Sequence, residues 1–289
     1  MLPNFLIIGA QKAATSWLAK CLGEHPDVFM VEIKEIHFFN HRFERGLAWY
    51  ESHFRDWAGQ AAIGEATPGY INHPNAPDRI QTTLGDEVKL IASLRHPVDR
   101  AYSAFWQSMR RGSIPADTDF QAFFQEDNRF GLRSRGDYLA HLSRYLECFP
   151  RESLLILIYE EMKRDRQKAV SDCLEFLGVD SQFVPDALNT VVNRGRDLRL
   201  FHGPAEALRR TLAAKTNLLP PGLREPLLQV GRRAFEHLIL RRLPKQERYV
   251  PLDQDLRREL LGDFMPDIIQ LEGLLDRDLS IWYAPSGVG

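Results

Sequence analysis

The chain has 289 residues, 44% hydrophobic and 26% charged, with a formal net charge of −2. That length suits one large α/β domain or two small ones with a sizeable core, and the composition is that of a soluble globular protein. Overall charge gives no sign of a nucleic-acid partner and none is expected, so anion binding has to come from local basic groups.

Three cysteines, Cys21, Cys148 and Cys173, are too few and too scattered for a disulfide framework, and none has zinc-ligand spacing. They point to a reducing compartment. The first apolar run is too short to span a membrane and lacks a basic flank, so the chain is expected to be soluble and cytoplasmic.

In chain order, "FLIIGA" is a short continuous apolar run, the pattern of a strand buried on both faces, broken by Gly9. "TSWLAKCLGEHP" has helical spacing at Trp17, Leu18, Cys21 and Leu22, and stops at Gly23 and Pro26. "AAIGEATP" reads as a short strand ending in a turn. Val88 to Leu94 is the clearest strand, and "RHPVDRAYSAFWQSMRRG" opens a helix with Pro97 in its first turn. "GDYLAHLSRYLECFP" is an amphipathic helix, Leu154 to Ile158 a third strong strand, and "QKAVSDCLEFLGV" a helix closing at Gly178.

From Phe201 the chain turns helical and basic, with arginine pairs at 209–210, 232–233 and 241–242. Two short helices follow, ending in "LSIW". Alternating strands and helices predict an α/β fold with a central, mostly parallel sheet covered on both faces. Ligands of such sheets bind at the carboxyl ends of the strands. That places the loop after Ile8, the turn after Gly64, and Arg95 along one edge.

The first loop, "GAQKAATSW", carries the features of an anion site. Backbone N–H groups at a helix start and the positive end of the helix dipole favour an anion, and Lys12 adds a full charge. Ala13 and Ala14 let the backbone approach closely, and Thr15 and Ser16 add hydroxyl donors. The alternative is a plain strand–turn–helix with Thr15 as N-cap. The loop is not G-x-x-x-x-G-K-[ST]: Lys12 and Thr15 are three apart, and no apolar strand ends in a metal-binding Asp. A kinase using ATP and magnesium is therefore disfavoured.

Taken together, "IIGAQKAATSWL", "EIKEIHFF", "GEATPGY" and "LRHPVDRAYSAFWQSMRRG" resemble the sulfotransferases that use 3′-phosphoadenosine 5′-phosphosulfate (PAPS). The likeness is to the branch holding heparan sulfate sulfotransferases and bacterial carbohydrate or lipid sulfotransferases. It covers Phe5 to about Gly112 well, and "LILIYEEM" and "LEGLLDRDLSIW" extend it.

The resemblance implies a P-loop, nucleotide-kinase-like α/β fold forming a single domain over 1–289, with 201–250 as a basic helical lid or insert. It implies that Lys12, Ala13, Ala14, Thr15, Ser16 and Trp17 hold the 5′-phosphosulfate, and that Arg95 and Ser103 hold the 3′-phosphate. Arginine presents a planar fork of donors suited to phosphate oxygens. The plainer readings are a surface ion pair of Arg95 with Asp99 and a solvent-facing Ser103.

In the branch the chain resembles, the Glu of a K-E-x-H-F-F stretch is the general base, so the resemblance implies Glu35 as base, with His37 as a catalytic or acceptor-binding helper. If the segment is extended, Glu35 and His37 point to one side; the plainer reading is a polar turn with Phe38 and Phe39 in the core. Sulfuryl transfer is an in-line displacement with charge building on the leaving oxygen, which Lys12 would stabilise without a metal.

Ala66 stands where heparan enzymes tend to have lysine, which puts a heparan-like acceptor in doubt. "NRGRD" (193–197) is the candidate donor-closing loop, with Arg194 or Arg196 reaching a phosphate. The acceptor is a carbohydrate, lipid or other small molecule with a hydroxyl or amine. Phe38, Phe39, Trp49, Tyr50, Phe54, Tyr70, Phe105 and Trp106 line either an acceptor cleft or the core. The basic stretch 205–242 is a lid, a surface for anionic membrane, or a solvated face. Competing functions are the ATP/magnesium phosphotransferase and a non-catalytic nucleotide-binding module.

Overall fold

The computed structural model describes residues 1–33, 35–111, 113–115, 117–126, 130–190 and 250–283. Five strands, β1 (Phe5–Gly9), β2 (Val28–Met30), β3 (Ala62–Ala66), β4 (Lys89–Leu94) and β5 (Leu154–Ile158), form one sheet in the order β2-β3-β1-β4-β5. Every pairing is parallel, so the described sheet is wholly rather than mostly parallel. β2 was not anticipated. Its three residues carry no pattern of their own and are a strand because they pair with β3, Val28 opposite Ala62 and Met30 opposite Gly64.

The helices are α1 (Thr15–Leu22), α2 (Phe38–His41), α3 (Leu47–Glu51), α4 (Ala76–Leu84), α5 (Pro97–Arg110), α6 (Phe120–Gln125), α7 (Tyr138–Cys148), α8 (Tyr159–Arg164), α9 (Arg166–Leu177), α10 (Gln254–Gly262) and α11 (Met265–Leu275). None of the described helices is long and apolar enough to cross a membrane.

Side chains alternate across the strands. Phe5, Ile7, Ala66, Ile91 and Leu157 face one core, closed by Leu18 and Leu22 of α1 and Val170 and Leu174 of α9. Leu6, Ile8, Leu90, Ala92 and Ile156 face a second, larger core closed by α5, α7 and the C-terminal helices. Each large apolar side chain so buried contributes about 1.5–3 kcal/mol. Register is tight where Phe5 lies opposite Gly64: a Cβ at Gly64 would sit 2.2 Å from the Phe5 ring.

The aromatic residues proposed for an acceptor cleft belong to the core. Phe38, Phe39, Tyr50, Phe54, Tyr70, Phe105 and Trp106 are buried, and Phe38 stacks on Tyr50 with ring centroids 4.3 Å apart. Only Trp49 is half-buried, with Arg45 over its ring at 4.8 Å.

The last described segment is fastened to the sheet side. Arg257 of α10 grips Asp99 of α5 with two bonds of 3.0 and 3.1 Å. Trp282 is fully buried and donates to Glu160 at 2.9 Å. Residues 201–249 of the predicted basic lid, including the 205–242 stretch, lie outside the described residues, as do Arg194 and Arg196.

Candidate active site

β1 delivers the chain at Gly9 and α1 begins at Thr15. Gly9 is needed for close approach, since a Cβ there would lie 2.4 Å from Ile71. Between them, Lys12 (φ 74°) and Ala14 (φ 63°) adopt left-handed backbone. That folds the loop back on itself just before the start of α1, where the backbone N–H groups and the positive end of the helix dipole favour an anion.

β4 holds the loop at three points. Ala10 N–H donates to the Ser93 carbonyl at 2.7 Å. The Ser93 hydroxyl donates to the Ala13 carbonyl at 2.7 Å, and Arg95 Nη1 donates to the Lys12 carbonyl at 3.1 Å. Thr15 is buried and is the first helical residue; the N-cap is Ala14, with no side-chain cap bond. The reading of Thr15 as N-cap therefore fails.

Arg95 is not in a surface ion pair with Asp99, because Asp99 is taken by Arg257. Its guanidinium lies 4.8 Å above the Tyr159 ring, and its Nε is buried with no hydrogen-bond partner. A buried, unpaired donor on a cation costs free energy unless an anion meets it. Ser103 is half-buried on α5, on the helix that starts just past Arg95. The two side chains make no direct bond to each other.

A cleft beside the loop is lined by Ala14, Trp17, Tyr159, Met162, Lys163, Arg166 and Thr190. Trp17 Nε1 and Arg166 Nη1 both donate to the Leu188 carbonyl at 3.3 Å. Tyr159, Lys163 and Arg166 line this cleft and were not singled out from the sequence. Their signal was position: they follow β5, whose carboxyl end lies on the same sheet edge.

The Glu35 segment is not extended. Glu35 (φ 64°) and His37 (φ 60°) are both left-handed, so period-two logic does not apply. The two side chains nevertheless meet, His37 Nε2 lying 3.3 Å from Glu35 Oε2, with side-chain exposures of 27% and 37%. The pair is thus reachable from solvent. Phe38 and Phe39 pack into the core directly after it.

Three N–H groups tie this turn to the end of β3. Glu35 N–H donates to the Ala66 carbonyl at 3.2 Å, His37 N–H to Thr67 Oγ1 at 3.3 Å, and Phe38 N–H to the Tyr70 hydroxyl at 3.0 Å. The turn after β3 is in turn stitched to β1, Thr67 N–H to the Ile7 carbonyl at 3.1 Å and Ile71 N–H to the Ile8 carbonyl at 2.9 Å. The Lys12 loop and the Glu35–His37 pair are therefore carried by adjacent strand ends.

Of the five non-glycine residues with positive φ among the described residues, four are Lys12, Ala14, Glu35 and His37. Such strain, about 1–3 kcal/mol each, persists where surrounding contacts impose it and gathers at functional sites.

Beneath the turn lies Glu65, 1% exposed. It accepts from Thr67 Oγ1 at 2.6 Å, the Tyr70 hydroxyl at 2.6 Å and the Tyr50 hydroxyl at 3.2 Å. Burial raises its pKa above the usual carboxylate range, and the three hydroxyls pull it back. Among the described residues no cluster of three His, Cys, Asp or Glu side chains is placed to hold a metal ion.

Comparison with known proteins accords with this geometry. Residues 2–195 match the family described as the sulfotransferase domain. A sulfotransferase from Alicyclobacillus acidocaldarius superimposes with a TM-score of 0.72 over 98% of this chain and 100% of that one, at 27% identity. Human heparan sulfate glucosamine 3-O-sulfotransferase 6 is 35% identical over 61% of this chain and 52% of its own length. The membrane-associated sulfotransferase kil1 of Dictyostelium discoideum is 40% identical over 44% of this chain and 28% of its own. The chain thus spans about half or less of these curated relatives' lengths.

Proposed function

The chain belongs to the family of PAPS-dependent sulfotransferases, and from that premise we propose that it moves a sulfuryl group from PAPS to a hydroxyl or amine of a carbohydrate, lipid or other small acceptor. The observation that carries this reading is the placement of the Lys12 loop, Arg95 and the Glu35–His37 pair on adjacent strand ends. A donor phosphate cradle and a base are thereby offered to one edge of the sheet.

In this reading the loop Lys12–Trp17 binds the 5′-phosphosulfate. Lys12 neutralises charge growing on the leaving phosphate oxygen, a preorganised electrostatic role. Arg95 and Ser103 take the 3′-phosphate, and the unpartnered Arg95 Nε supports this. The cleft beside Trp17, with Tyr159 and Arg166, takes the adenine. Arg194, outside the described residues, remains proposed for a phosphate contact on sequence grounds.

Glu35 takes the acceptor's proton as the oxygen or nitrogen attacks sulfur and the S–O bond to the 5′-phosphate breaks. His37, 3.3 Å away, orients Glu35 or the acceptor. The names of the heparan sulfate 3-O-sulfotransferases among the relatives support a glycan hydroxyl as acceptor, while Ala66 argues for one less acidic than heparan. The three free cysteines support a reducing, cytoplasmic setting.

The test is a screen of glycan, lipid and phenolic acceptors with PAPS, read as gain of one SO3 by mass and as release of adenosine 3′,5′-bisphosphate. The wild type should sulfate at least one class. Glu35→Gln should lower turnover by about 10²–10⁴-fold, the usual worth of a general base. Undiminished turnover in Glu35→Gln would remove Glu35 from that role.

A further inference from the structure

The Glu35–His37 turn is strained. Arg42 and the start of α2 bond the carbonyls of Ile36 and His37, and the N–H groups of residues 35, 37 and 38 are held by three acceptors at the end of β3. Two of the three acceptors that hold it are hydroxyl oxygens, Thr67 Oγ1 and Tyr70 Oη. A hydroxyl can rotate, and accepts reliably only when its own proton is committed elsewhere. Both protons are committed to one group: Thr67 donates to Glu65 Oε2 and Tyr70 to Glu65 Oε1, each at 2.6 Å. Tyr50 donates to the same Oε1 at 3.2 Å.

We propose that Glu65 is a positioning residue for sulfuryl transfer: a buried carboxylate that fixes the Thr67 and Tyr70 hydroxyls so that they hold the backbone of His37 and Phe38, and with it the Glu35–His37 pair, in reacting geometry. The proposal rests on the reading of Glu35 as base.

The chemistry requires an acceptor-only group at position 65. Three O–H donors converge on Glu65 while two of the same oxygens receive N–H groups from the turn. Glutamine has the same shape but brings an NH2 donor on one side. It would face a hydroxyl, which would have to turn its lone pair inward and its proton toward a backbone N–H. One of the two anchoring bonds would then be lost, and a buried donor left unsatisfied. Glu65 itself is sealed from solvent at 1% exposure, so it does not touch substrate and acts on the reaction through those hydroxyls. The Lys12 loop is fastened separately, through Ser93 on β4 and Arg95 just past its end, so donor binding should be insensitive to Glu65.

That separation makes the test specific. Glu65→Gln should lower kcat for PAPS turnover by about 10²-fold, as for a misplacement of the reacting groups. Affinity for adenosine 3′,5′-bisphosphate, read by calorimetry, should stay within about twofold. Amide hydrogen exchange at residues 37 and 38 should accelerate by about tenfold. Thr67→Ser, which keeps the hydroxyl, should retain activity, whereas Thr67→Val and Tyr70→Phe should each lose part of it; these variants carry the test if Glu65→Gln fails to fold.

Unchanged exchange at 37 and 38 in Glu65→Gln would overturn the proposal, as would bisphosphate affinity falling in step with kcat, or Thr67→Ser being as impaired as Thr67→Val. Failure of the base assignment reads differently. Glu35→Gln would then keep its turnover, while faster exchange in Glu65→Gln would still stand.

Discussion

At the scale of single residues, the polar groups at strand ends were legible, and the strain between them was not. Lys12 and Arg95 could be read because each is a cation placed just beyond an apolar strand, at an edge where α/β sheets bind ligands. Glu65 could not, because a carboxylate in "GEATPGY" looks like any polar residue at a turn. Only the structure shows it buried under three hydroxyls. Arg95 yields a sharp prediction. Its Nη1 braces the loop through the Lys12 carbonyl, while its buried Nε has no hydrogen-bond partner. Arg95→Ala should weaken adenosine 3′,5′-bisphosphate binding by about 1.5–3 kcal/mol, the worth of a hydrogen bond to a charged group. Affinity for 5′-AMP, which lacks the 3′-phosphate, should fall much less. Equal losses for both ligands would show that Arg95 serves only as a brace.

At the scale of elements, apolar runs and proline or glycine stops located β1, β3, β4, β5, α1, α5, α7 and α9 to within a residue or two at most ends. The elements that escaped were β2, α2, α3, α4, α6 and α8, although Pro77 in the first turn of α4 and the Asp119 cap of α6 were local signals for two of them. β2 exists through its pairing with β3, and α2 through burial of Phe38 and Phe39. The assumption of an extended Glu35 segment failed for a related reason. Anchoring to Ala66, Thr67 and Tyr70 imposes left-handed backbone that no residue type there would choose. Among helices, α5 and α10 make the clearest energetic claim. Arg257 is 7% and Asp99 24% exposed at their two-bonded pair. Breaking a fully buried pair costs about 3–5 kcal/mol, and partial exposure of Asp99 reduces that, so Arg257→Ala should cost on the order of 2 kcal/mol of stability. Denaturant unfolding gives the value, and an unchanged midpoint would mean that α10 is held by its apolar contacts alone.

At the scale of the whole molecule, strand–helix alternation was enough to foresee the parallel sheet. Strand order and the division of the core into two faces needed coordinates. Two buried histidines couple that core to pH. Burial lowers His96 to about 3 and His141 to about 4, from an ordinary value of 6.5. Above pH 6.5 both are neutral whether folded or not. As pH falls below 6.5 the unfolded chain takes up protons that the native state refuses, so stability is lost progressively toward pH 4 and 3. Glu65 and Glu160, raised by burial, work in the opposite sense just above their ordinary range, so a variant is needed to isolate the histidines. His141→Gln should lose less unfolding free energy than wild type between pH 7 and pH 5; an equal loss would contradict the buried-neutral assignment.

In the proposed function the Lys12 loop, with Arg95, holds a sulfuryl donor rather than ATP and magnesium. Calorimetric titration of the protein with adenosine 3′,5′-bisphosphate and, separately, with ADP and magnesium tests it most directly. The bisphosphate should bind clearly more tightly, independent of added magnesium. Tighter binding of ADP with magnesium, or no binding of the bisphosphate, would contradict it.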